Sequence, residues 1–591
     1  MAHIVEVPVR GAGIARGKCD LQPRDAVSSI RPAPTWVIAL GLAGVVVLAL
    51  FFRLYRLDTF LHWAFGDEMA YGLEGERVTR GDYTSLFAYT WDQAPATYAY
   101  ILSVVQQLFG VSLHNGRMVS VVLGTLTVPL AALCARELEI SWTGSLLAAG
   151  LLAVSHWHAH FSRMTLPAAP TAFVLLLALY SGMIAFRRGH WWLLVIAGAL
   201  CGFAPYVFLS NRIIVPILVL WLVYLGLFHR TWVRQSWPKI LLFAGALTLV
   251  ALPLDIFWLH NPGEFMGPER HVGIMYHVDY WAGQHTGAPT TALNILWSQL
   301  LVSAGMFTVF GGPYPPWGGS YAPAMDIVTG WLLVPAVAYA LYHWRRPLVA
   351  LVLIWFTAIW FFGVVLGIDA PELEHAVGLI AAAFLLIALL CDTIGTAIVR
   401  RTRRPALYAE LAALLVLVSG ALNYNVFFNV WGSQLAGNAG FGWQWYDAGA
   451  YLARHATPRG TAIYADSYPD EFFRFLSPRA GEFLAEGAPF RPASIYIVIA
   501  GDATSPGAVA AHLSGARQER VYDVDGDLAF TAVIPTTSLV TSTSLVTSMT
   551  SRVADSATPA RTRVLIRGMR QKLYNVSSSD VTAVTRVIEK T

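Results

Sequence analysis

Charged residues are scarce in this sequence. Only 13% of its 591 residues are Asp, Glu, Lys or Arg, whereas 56% are hydrophobic. A soluble globular domain normally carries about 25% charged residues, so the composition excludes an ordinary soluble protein and indicates an integral membrane protein. The net charge of +4 is small and spread among loops. It provides no basic surface for nucleic acid, and we expect no nucleic-acid partner.

Cysteine is also rare. The four cysteines are Cys19, Cys134, Cys201 and Cys391. One lies in the N-terminal tail and three lie within apolar runs, so the sequence shows neither a disulfide framework nor a zinc pattern. We also expect no cleavable signal peptide, because basic residues precede the first apolar run and no small-residue cleavage site follows it.

Apolar runs long enough to cross a membrane are abundant. A transmembrane helix needs about 17–25 residues. Eleven candidate runs lie near residues 35–53, 116–134, 143–158, 169–186, 190–209, 212–228, 239–258, 327–343, 348–367, 375–398 and 406–426. Two further apolar stretches, 95–110 and 291–310, are interpreted as helices that lie in the outer membrane interface, a geometry that amphipathic segments adopt readily.

Lysine and arginine indicate the orientation of these spans, because cytoplasmic loops carry an excess of both residues. Alternate connections hold the basic residues Arg136, Arg187, Arg188, Arg230, Arg234, Lys239, Arg345, Arg346, Arg400, Arg401, Arg403 and Arg404. The pattern predicts a multi-pass protein of the cell membrane with a cytoplasmic N-terminus, and it places the long loops 54–115 and 259–326 outside. If only one of the two interfacial stretches crossed the membrane, every later loop would change side and the arginine pattern would fail.

Changes in composition predict four regions. They are a cytoplasmic N-terminal tail (1–34), a transmembrane domain (35–430), a small extracytoplasmic α/β domain (431–535) and a low-complexity tail (536–591). Short apolar runs alternate with helical patterns in the third region, which is typical of an α/β domain. The fourth region contains a direct repeat of Thr-Ser-Leu-Val-Thr-Ser and is rich in Ser and Thr, so we expect it to be largely disordered.

Two adjacent carboxylates mark the first outer loop. Asp67 and Glu68 lie a few residues beyond the first span, among aromatic residues, and they open a segment with helical spacing. The pair has a simple structural interpretation as a helix cap, since acidic residues are favoured in a first helical turn. Asp92 and Gln93 open the second interfacial stretch in the same way, and Arg117 follows at the outer end of the second span.

Other polar groups fall on the same side of the membrane in this topology. The run His156-Trp157-His158-Ala159-His160 places two histidines four residues apart on one helix face, a spacing seen in zinc sites. No HExxH glutamate accompanies it, and histidine and tryptophan also suit a membrane interface, so metal binding is left open. Arg163 is either a functional residue or an interfacial anchor. Glu372 and His375, in a late outer connection, either line a site or contact lipid headgroups.

The order of these elements resembles the GT-C superfamily of polytopic glycosyltransferases. The likeness is greatest to the branch that contains protein O-mannosyltransferases and the enzymes that add aminoarabinose to lipid A. In that branch an Asp-Glu pair follows the first span, a Lys/His-Pro-Pro-type element opens a second juxtamembrane helix, and an arginine begins the next span. Here the pair is Asp67-Glu68 and the arginine is Arg117, whereas Gln93-Ala94-Pro95 lacks the double proline and the basic residue. The likeness covers roughly residues 35–430.

This resemblance implies an all-α polytopic GT-C fold with about eleven transmembrane helices, interfacial helices and a small C-terminal extracytoplasmic α/β domain. It also implies a glycosyltransferase that takes a sugar from a polyprenyl-phosphate donor on the outer face and inverts the anomeric carbon. The acceptor is left open among glycans, lipids and proteins, and membrane lipids are the other expected partners. The resemblance requires no cofactor, and a divalent cation is left open.

Each candidate residue has an expected role in such a reaction. Asp67 is the expected general base for the acceptor hydroxyl, a contribution of about 10²–10⁴-fold in rate. Glu68 is expected to position the acceptor or to assist a cation. Arg117 and Arg163 are expected to stabilise the departing phosphate, because preorganised charge is most effective in a water-poor site. The remaining substrate-binding candidates are Asp92, Gln93, Glu372 and His375.

Two other functions account for parts of the sequence. A transporter or flippase of lipid-linked sugars would show inverted repeats and broken, charged helices near mid-membrane. No such internal symmetry is evident, and the acidic residues gather at the outer surface instead. A relative that has lost catalysis and serves as an assembly subunit would not need Asp67, which is present.

Overall fold

The computed structural model describes most of the chain between residues 34 and 536. The described ranges are 34–60, 64–82, 95–285, 289–312, 322–431, 443–455, 461–464, 475–476, 483–484, 493, 495–499, 506–513, 515–522 and 528–536. The two predicted tails lie outside these ranges except for residues 34 and 536, and the predicted site residues Asp92 and Gln93 lie outside them as well.

The described chain is mostly helical. Its α-helices are α1 Thr35–Leu54, α2 Leu57–Phe60, α3 Gly66–Arg80, α4 Thr97–Phe109, α5 Leu113–Glu137, α6 Trp142–Val154, α7 His156–Phe161, α8 Ala168–Arg188, α9 Trp191–Val207, α10 Ile214–Phe228, α11 Arg230–His260, α12 Pro262–Val272, α13 Val278–Gln284, α14 Ala292–Gly305, α15 Ile327–Tyr342, α16 Pro347–Ile359, α17 Ile380–Thr402, α18 Pro405–Tyr424, α19 Trp443–His455 and α20 Pro506–Ala511. Short 3₁₀ segments are Leu209–Ile213, Ile274–Tyr276 and Val377–Leu379. Wider π-helical turns, Trp360–Val365 and Asn425–Trp431, extend α16 and α18.

Eight helical stretches of the described chain are long and apolar enough to cross a membrane. They are Thr35–Phe60, Leu113–Glu137, Ala168–Arg188, Leu209–Phe228, Arg230–His260, Pro347–Val365, Val377–Thr402 and Pro405–Trp431. The chain is therefore a multi-pass membrane protein, as predicted. Three of the eleven predicted spans fall on the shorter apolar helices α6, α9 and α15, which have 13, 17 and 16 residues. Since a helix rises about 1.5 Å per residue against a hydrocarbon core of roughly 30 Å, eight full-length candidates are established and the count of eleven stays a prediction.

The shortest predicted span is broken into two helices. α6 ends at Val154, and Ser155 caps α7 by accepting a hydrogen bond from the backbone N–H of His158. Arg53, at the end of α1, is buried at this break, where its guanidinium donates to the carbonyl oxygen of Ala153 at 3.3 Å. The guanidinium also lies 2.6 Å from Nδ1 of His158. The break therefore leaves backbone and imidazole acceptors that an arginine of the first span satisfies.

The two stretches interpreted as interfacial form short helices. These are α4, with 13 residues, and α14, with 14 residues. α4 packs against α3, where Gln106 donates to the carbonyl oxygen of Gly72 at 2.8 Å and the hydroxyl groups of Thr79 and Ser103 lie 2.8 Å apart. The loop between the first two spans is thus built as a pair of packed helices.

Small residues allow a close contact between α9 and α11. A Cβ atom added at Gly198 or Gly202 would lie 2.3 Å from the carbonyl oxygen of Phe243 or Leu247, respectively. Glycines four residues apart on one face let two membrane helices approach until their backbones touch. These two helices are therefore locked at one register.

Five strands in the C-terminal region, residues 443–536, form one sheet. They are β1 Thr461–Tyr464, β2 Phe483–Leu484, β3 Ile495–Ile499, β4 Ala516–Tyr522 and β5 Leu528–Pro535, in the order β2-β1-β3-β5-β4. β1 is parallel to β2 and β3, whereas β5 is antiparallel to β3 and β4. α19 packs on this sheet, where the rings of Tyr451 and Phe530 lie 5.4 Å apart. The expected small sheet-containing region is present, and its exact boundaries stay predictions.

The C-terminal region packs on α3. A Cβ atom added at Gly72 would lie 2.4 Å from a ring carbon of Phe475, so the absence of a side chain makes room for this ring. Met69, Trp445 and Tyr446 belong to the same apolar cluster. The cluster fixes the C-terminal region over the loop between α1 and α5.

Candidate active site

The acidic pair lies in the first turn of α3, which begins at Gly66. Both carboxylates are buried, with Asp67 6% exposed and Glu68 1% exposed. Glu68 turns back on the start of its own helix, where Oε2 accepts a hydrogen bond of 3.2 Å from the backbone N–H of Phe65. This contact is one half of a capping box. The capping interpretation therefore describes one of the contacts of Glu68, although other contacts are shorter.

Those shorter contacts join Glu68 to Arg117. Nε of Arg117 donates to Oε1 at 3.0 Å, and Nη2 donates to Oε2 at 2.9 Å. The backbone N–H of Thr165 donates to Oε1 at 2.8 Å. Forked pairing of this kind is the strongest geometry for an arginine and a carboxylate. Glu68 thereby connects the start of α3, the first turn of α5 and the segment that precedes α8.

The position of Arg117 depends on the start of α5. Ser112 is the N-cap residue of that helix, and its hydroxyl oxygen accepts a hydrogen bond of 3.1 Å from the backbone N–H of Asn115. The cap fixes the start of α5 beside α3, and in this arrangement Arg117 contacts Glu68. The structure thus brings together Asp67, Glu68 and Arg117, three residues that the sequence singled out.

Arg163 holds the end of α1. Its Nη1 donates to three carbonyl oxygens and its Nη2 to a fourth, at 2.9–3.1 Å; these belong to Phe52, Arg53, Tyr55 and Arg56. The last carbonyl groups of a helix have no partner within the helix, so Arg163 acts as a cap for α1. Its guanidinium also lies over three aromatic rings, those of Phe60, Phe427 and Phe428.

Several arginines concentrate positive charge at this end of the protein. Burial lowers the pKa of Arg163 from 12.5 to about 9, and the nearby Arg117, Arg53 and Arg56 lower it as well, whereas Asp58 raises it. A guanidinium with this pKa is still protonated at neutral pH. The effect on Arg163 is consistent with a local concentration of positive charge at this end of the protein.

The three histidines of the 156–160 run have different partners. Oδ1 of Asn423 lies 2.6 Å from Nδ1 of His156 and accepts a hydrogen bond of 2.9 Å from its backbone N–H. His158 faces Arg53, and the ring of His160 lies 4.7 Å from that of Trp431. Within the described part of the chain no group of three or more His, Cys, Asp or Glu residues could hold a metal ion. The observed contacts of these histidines join helices.

Glu372 and His375 form a pair of their own. Nδ1 of His375 lies 3.0 Å from Oε2 of Glu372. Their loop is tied to α7, because the indole N–H of Trp157 donates to the carbonyl oxygen of Leu373 at 3.0 Å. The neighbouring Asp369 accepts a hydrogen bond of 2.7 Å from the hydroxyl of Tyr280. Burial raises the pKa of Asp369.

A cavity of about 350 Å³ opens beside Arg117. Its lining residues are Asp58, Val111, Ser112, Leu113, His114, Arg117, Tyr446, Phe475 and Leu476. Nδ1 of His114 lies 2.8 and 3.0 Å from the two carboxylate oxygens of Asp58. Burial raises the pKa of Tyr446 and Arg117 opposes that shift, so the phenol stays protonated and able to donate. The C-terminal region therefore supplies one wall of this cavity and the spans supply the other.

Sequence reasoning missed most of this lining. Asp58 and His114 stand at the end of the first span and the start of the second, so the predicted topology placed both at the outer surface. Their shared location at the outer surface was the sequence signal that could have identified Asp58 and His114 as neighbours of the site. Phe475 had none, because nothing in the local sequence indicates that this residue reaches Gly72.

Comparison with known proteins gives one family match. Residues 92–254 match the family described as dolichyl-phosphate-mannose-protein mannosyltransferase. No curated protein sequence matches the chain.

Solved structures match over more of the chain. ArnT from Cupriavidus metallidurans bound to undecaprenyl phosphate is 16% identical, covers 86% of this chain and 100% of that chain, and has a TM-score of 0.51. The archaeal oligosaccharyltransferase AglB from Archaeoglobus fulgidus, in complex with an inhibitory peptide and a dolichol-phosphate, is 15% identical with a TM-score of 0.50. It covers 76% of this chain, which spans only 64% of the length of AglB. At these identities the matches show the fold.

The fold matches and the family match together show that the chain is similar to membrane glycosyltransferases of the GT-C type. Over residues 92–254 the chain is similar to the family of dolichyl-phosphate-mannose-protein mannosyltransferases. The resemblance stated from the order of Asp67-Glu68 and Arg117 is thereby confirmed.

Proposed function

We propose that the protein transfers a sugar from a polyprenyl-phosphate donor to an acceptor hydroxyl at the extracytoplasmic face of the cell membrane, with inversion. The observation that carries this proposal is the buried Asp67-Glu68 pair, which is held by Arg117 beside an open cavity. A carboxylate, a cation and space for a ligand are the parts that such a displacement needs.

In the proposed reaction the acceptor oxygen attacks the anomeric carbon while Asp67 takes its proton. The new carbon–oxygen bond forms as the bond to the donor phosphate breaks, and polyprenyl phosphate leaves with the bonding electrons. One direct displacement inverts the anomeric configuration. Asp67 is the proposed base because its neighbour Glu68 already accepts four N–H groups.

Glu68 is a positioning residue in this proposal. It fixes Asp67 by tying the first turn of α3 to Arg117 and to the backbone of Thr165. A carboxylate with these partners is poorly suited to hold a cation, so the expected alternative role of Glu68 as a cation ligand is not favoured.

Arg117 is the proposed stabiliser of the departing phosphate. It lines the cavity as well as binding Glu68, and preorganised positive charge lowers the energy of a developing anion most in a site with little water. Arg163 and Arg53 are not among the residues that line the cavity, and they add positive electrostatic potential near Arg117. The carbonyl contacts of Arg163 favour a capping role for that residue over direct contact with the donor.

The other predicted substrate-binding residues stay part of the proposal. Nδ1 of His375 lies 3.0 Å from Oε2 of Glu372 in a connection that contacts α7 through Trp157. Asp92 and Gln93 lie outside the described residues. The extracytoplasmic location of the site rests on the distribution of arginine and lysine among the loops.

The proposed function is tested with the purified full-length chain in nanodiscs. Labelled polyprenyl-phosphate sugars are supplied, and the release of polyprenyl phosphate is measured for the wild type and Asp67→Asn. Release by the wild type and loss of release in the variant support the proposal. In sealed proteoliposomes, movement of intact donor between the two leaflets without cleavage would support the transporter alternative instead. Mass spectrometry of envelope glycans and glycoproteins with and without the gene then identifies the acceptor.

A further inference from the structure

The cavity beside Arg117 has a volume of about 350 Å³, near the lower end of the roughly 300–1,000 Å³ range of small-molecule sites. Arg117 lines this cavity and also binds Glu68 of the acidic pair. The size suits a single compact ring better than an extended peptide or an isoprenoid chain.

The lining divides into a polar side and an apolar side. The polar side carries Asp58 and His114, whose side chains are 59% and 50% exposed. Their mutual contact leaves other donor and acceptor positions open to solvent, since a carboxylate offers about four lone-pair sites. The exposed pair can therefore bind a ligand without breaking a buried interaction.

The apolar side comes from the C-terminal region. Phe475 and Leu476 provide apolar surface, and Tyr446 adds an aromatic ring with a hydroxyl group. Aromatic rings offer a flat apolar surface, and tyrosine combines it with a polar tip. A ligand that fills the cavity must present hydroxyl groups on one side and C–H groups on the other.

The charge of the polar side argues against a simple anion. Asp58 would repel a phosphate or a carboxylate on that side, because like charges placed together are costly at an interface. Neutral hydroxyl groups, in contrast, donate to a carboxylate such as Asp58 and form hydrogen bonds with an imidazole such as that of His114. The chemistry common to all the walls is that of a neutral sugar ring.

We infer that this cavity is a monosaccharide subsite beside the phosphate-binding Arg117, in which Asp58 and His114 bind ring hydroxyl groups and the Phe475–Leu476 segment covers the apolar face. The inference rests on the proposed function for its place in the reaction. The sugar is either the one carried by the lipid donor or the terminal residue of the acceptor, since both have the same binding chemistry.

Direct binding tests the subsite without any turnover. Saturation-transfer NMR is recorded on the full-length chain in nanodiscs with the methyl glycosides of mannose, glucose, galactose and arabinose. Asp58→Asn and Phe475→Ala are expected to weaken binding about threefold to tenfold, the size of one lost hydrogen bond or aromatic contact. The matched controls are Asp82→Asn and Tyr522→Ala, at an exposed acid and an exposed aromatic outside the cavity.

Asp58→Asn carries the test if Phe475→Ala fails to fold, because Asp58 is exposed. No binding of any of the four glycosides by the wild type, or equal binding by wild type and Asp58→Asn, would overturn the subsite. Kinetics then separate the two sources of sugar. A raised KM for the lipid donor in Asp58→Asn assigns the donor sugar, and a raised KM for the acceptor assigns the acceptor sugar.

The two proposals fail in different ways. If the chain never releases polyprenyl phosphate but binds a glycoside that Asp58→Asn weakens, the proposed function fails and the subsite stands. If polyprenyl phosphate is released but glycosides bind equally well to the wild type and Asp58→Asn, the subsite proposal fails and the proposed function stands.

Discussion

Arg117 and Glu68 form a two-point ion pair inside the protein, with Nε 3.0 Å from Oε1 and Nη2 2.9 Å from Oε2. Both side chains are 1% exposed. Each charge compensates the other, and the pair joins helices that are far apart in the sequence. The location of Asp67, next to Glu68 in the chain, is set by this pair.

Glu68→Gln is expected to destabilise the protein by about 3–5 kcal/mol, because it removes one charge of a buried, forked ion pair. The measurement is equilibrium unfolding in mixed micelles. Glu68→Gln combined with Arg117→Gln should recover part of the loss. Asp82→Asn breaks the exposed pair with Arg80 and serves as the control, with an expected effect of about 0–1 kcal/mol. A similar effect for both single variants would contradict the structural role of Glu68.

Asp67→Asn is expected to lower turnover by about 10²–10⁴-fold, since the amide keeps the shape of the side chain but cannot accept the proton. Membrane insertion and folding should be unchanged. The measurement is release of polyprenyl phosphate by equal amounts of folded protein. If Asp67 only caps α3, the variant should instead lose about 1 kcal/mol of stability and turn over normally.

Arg117→Ala and Arg163→Gln are expected to fail in different ways. Arg117→Ala should reduce donor efficiency by roughly 10- to 150-fold, equivalent to about 1.5–3 kcal/mol for a charge-assisted hydrogen bond. Arg117→Lys should retain more activity because it keeps the charge but loses the fork. Arg163→Gln should mainly reduce stability, because four carbonyl groups at and just beyond the end of α1 lose the hydrogen bonds that Arg163 donates. Steady-state kinetics and unfolding of the same preparations distinguish these outcomes, and normal donor use by Arg117→Ala would place the phosphate elsewhere.

Asp369→Asn is expected to change how stability depends on pH. Burial and the nearby Glu372 raise the pKa of Asp369, while Tyr280, His375 and His277 oppose the shift. A raised carboxyl pKa means that the folded state binds the proton more tightly than the unfolded state, so stability falls as pH rises from about 3.8 through the folded pKa.

Asn has no proton to lose and still accepts from Tyr280. The variant should therefore be more stable than the wild type at neutral pH and equal to it below about pH 3.8. Thermal unfolding between pH 3 and pH 8 measures the difference. A constant difference across this range would show that the carboxyl does not cause it.

Reporter fusions test the orientation. Fusions after residues 188, 234 and 346 are expected to report a cytoplasmic location, and a fusion after residue 430 an extracytoplasmic one, because alternate loops carry the arginines. Alkaline phosphatase and green fluorescent protein give opposite signals for the two sides. A cytoplasmic signal after residue 430 would contradict eleven crossings; the number of crossings would then be even, either because α4 or α14 crosses the membrane or because one of α6, α9 and α15 does not.

The sequence predicted the helices of the membrane domain better than the contacts of the site. Apolar runs and arginine spacing are local signals, and they located the helices on which Asp67 and Arg117 lie. The break at Ser155 lies within an apolar run, where hydropathy is uniform, so one continuous span was the natural prediction. The histidine run similarly suggested a metal on spacing alone, whereas the structure separates its side chains among Asn423, Arg53 and Trp431.

Contacts between distant segments were beyond the reach of local patterns. The donation from the backbone of Thr165 to Glu68 has no side-chain signature, because any residue with an N–H group could make it. The capping role of Arg163 depends on the end of α1 lying beside it. The sequence identified Arg163 as an ionisable residue at an interface, but its carbonyl partners required the three-dimensional arrangement.

Two distant parts of the sequence line the cavity: Arg117 lies in the first third of the chain, and Phe475 comes after the last span. A ribosome therefore finishes the acidic pair and its arginine long before it makes the residues that close the cavity. During most of membrane insertion the cavity therefore lacks the wall that Phe475 and Leu476 provide. The wall that Phe475 supplies can form only after the final region reaches the same side of the bilayer as Arg117, so a chain that ends before this region lacks that wall.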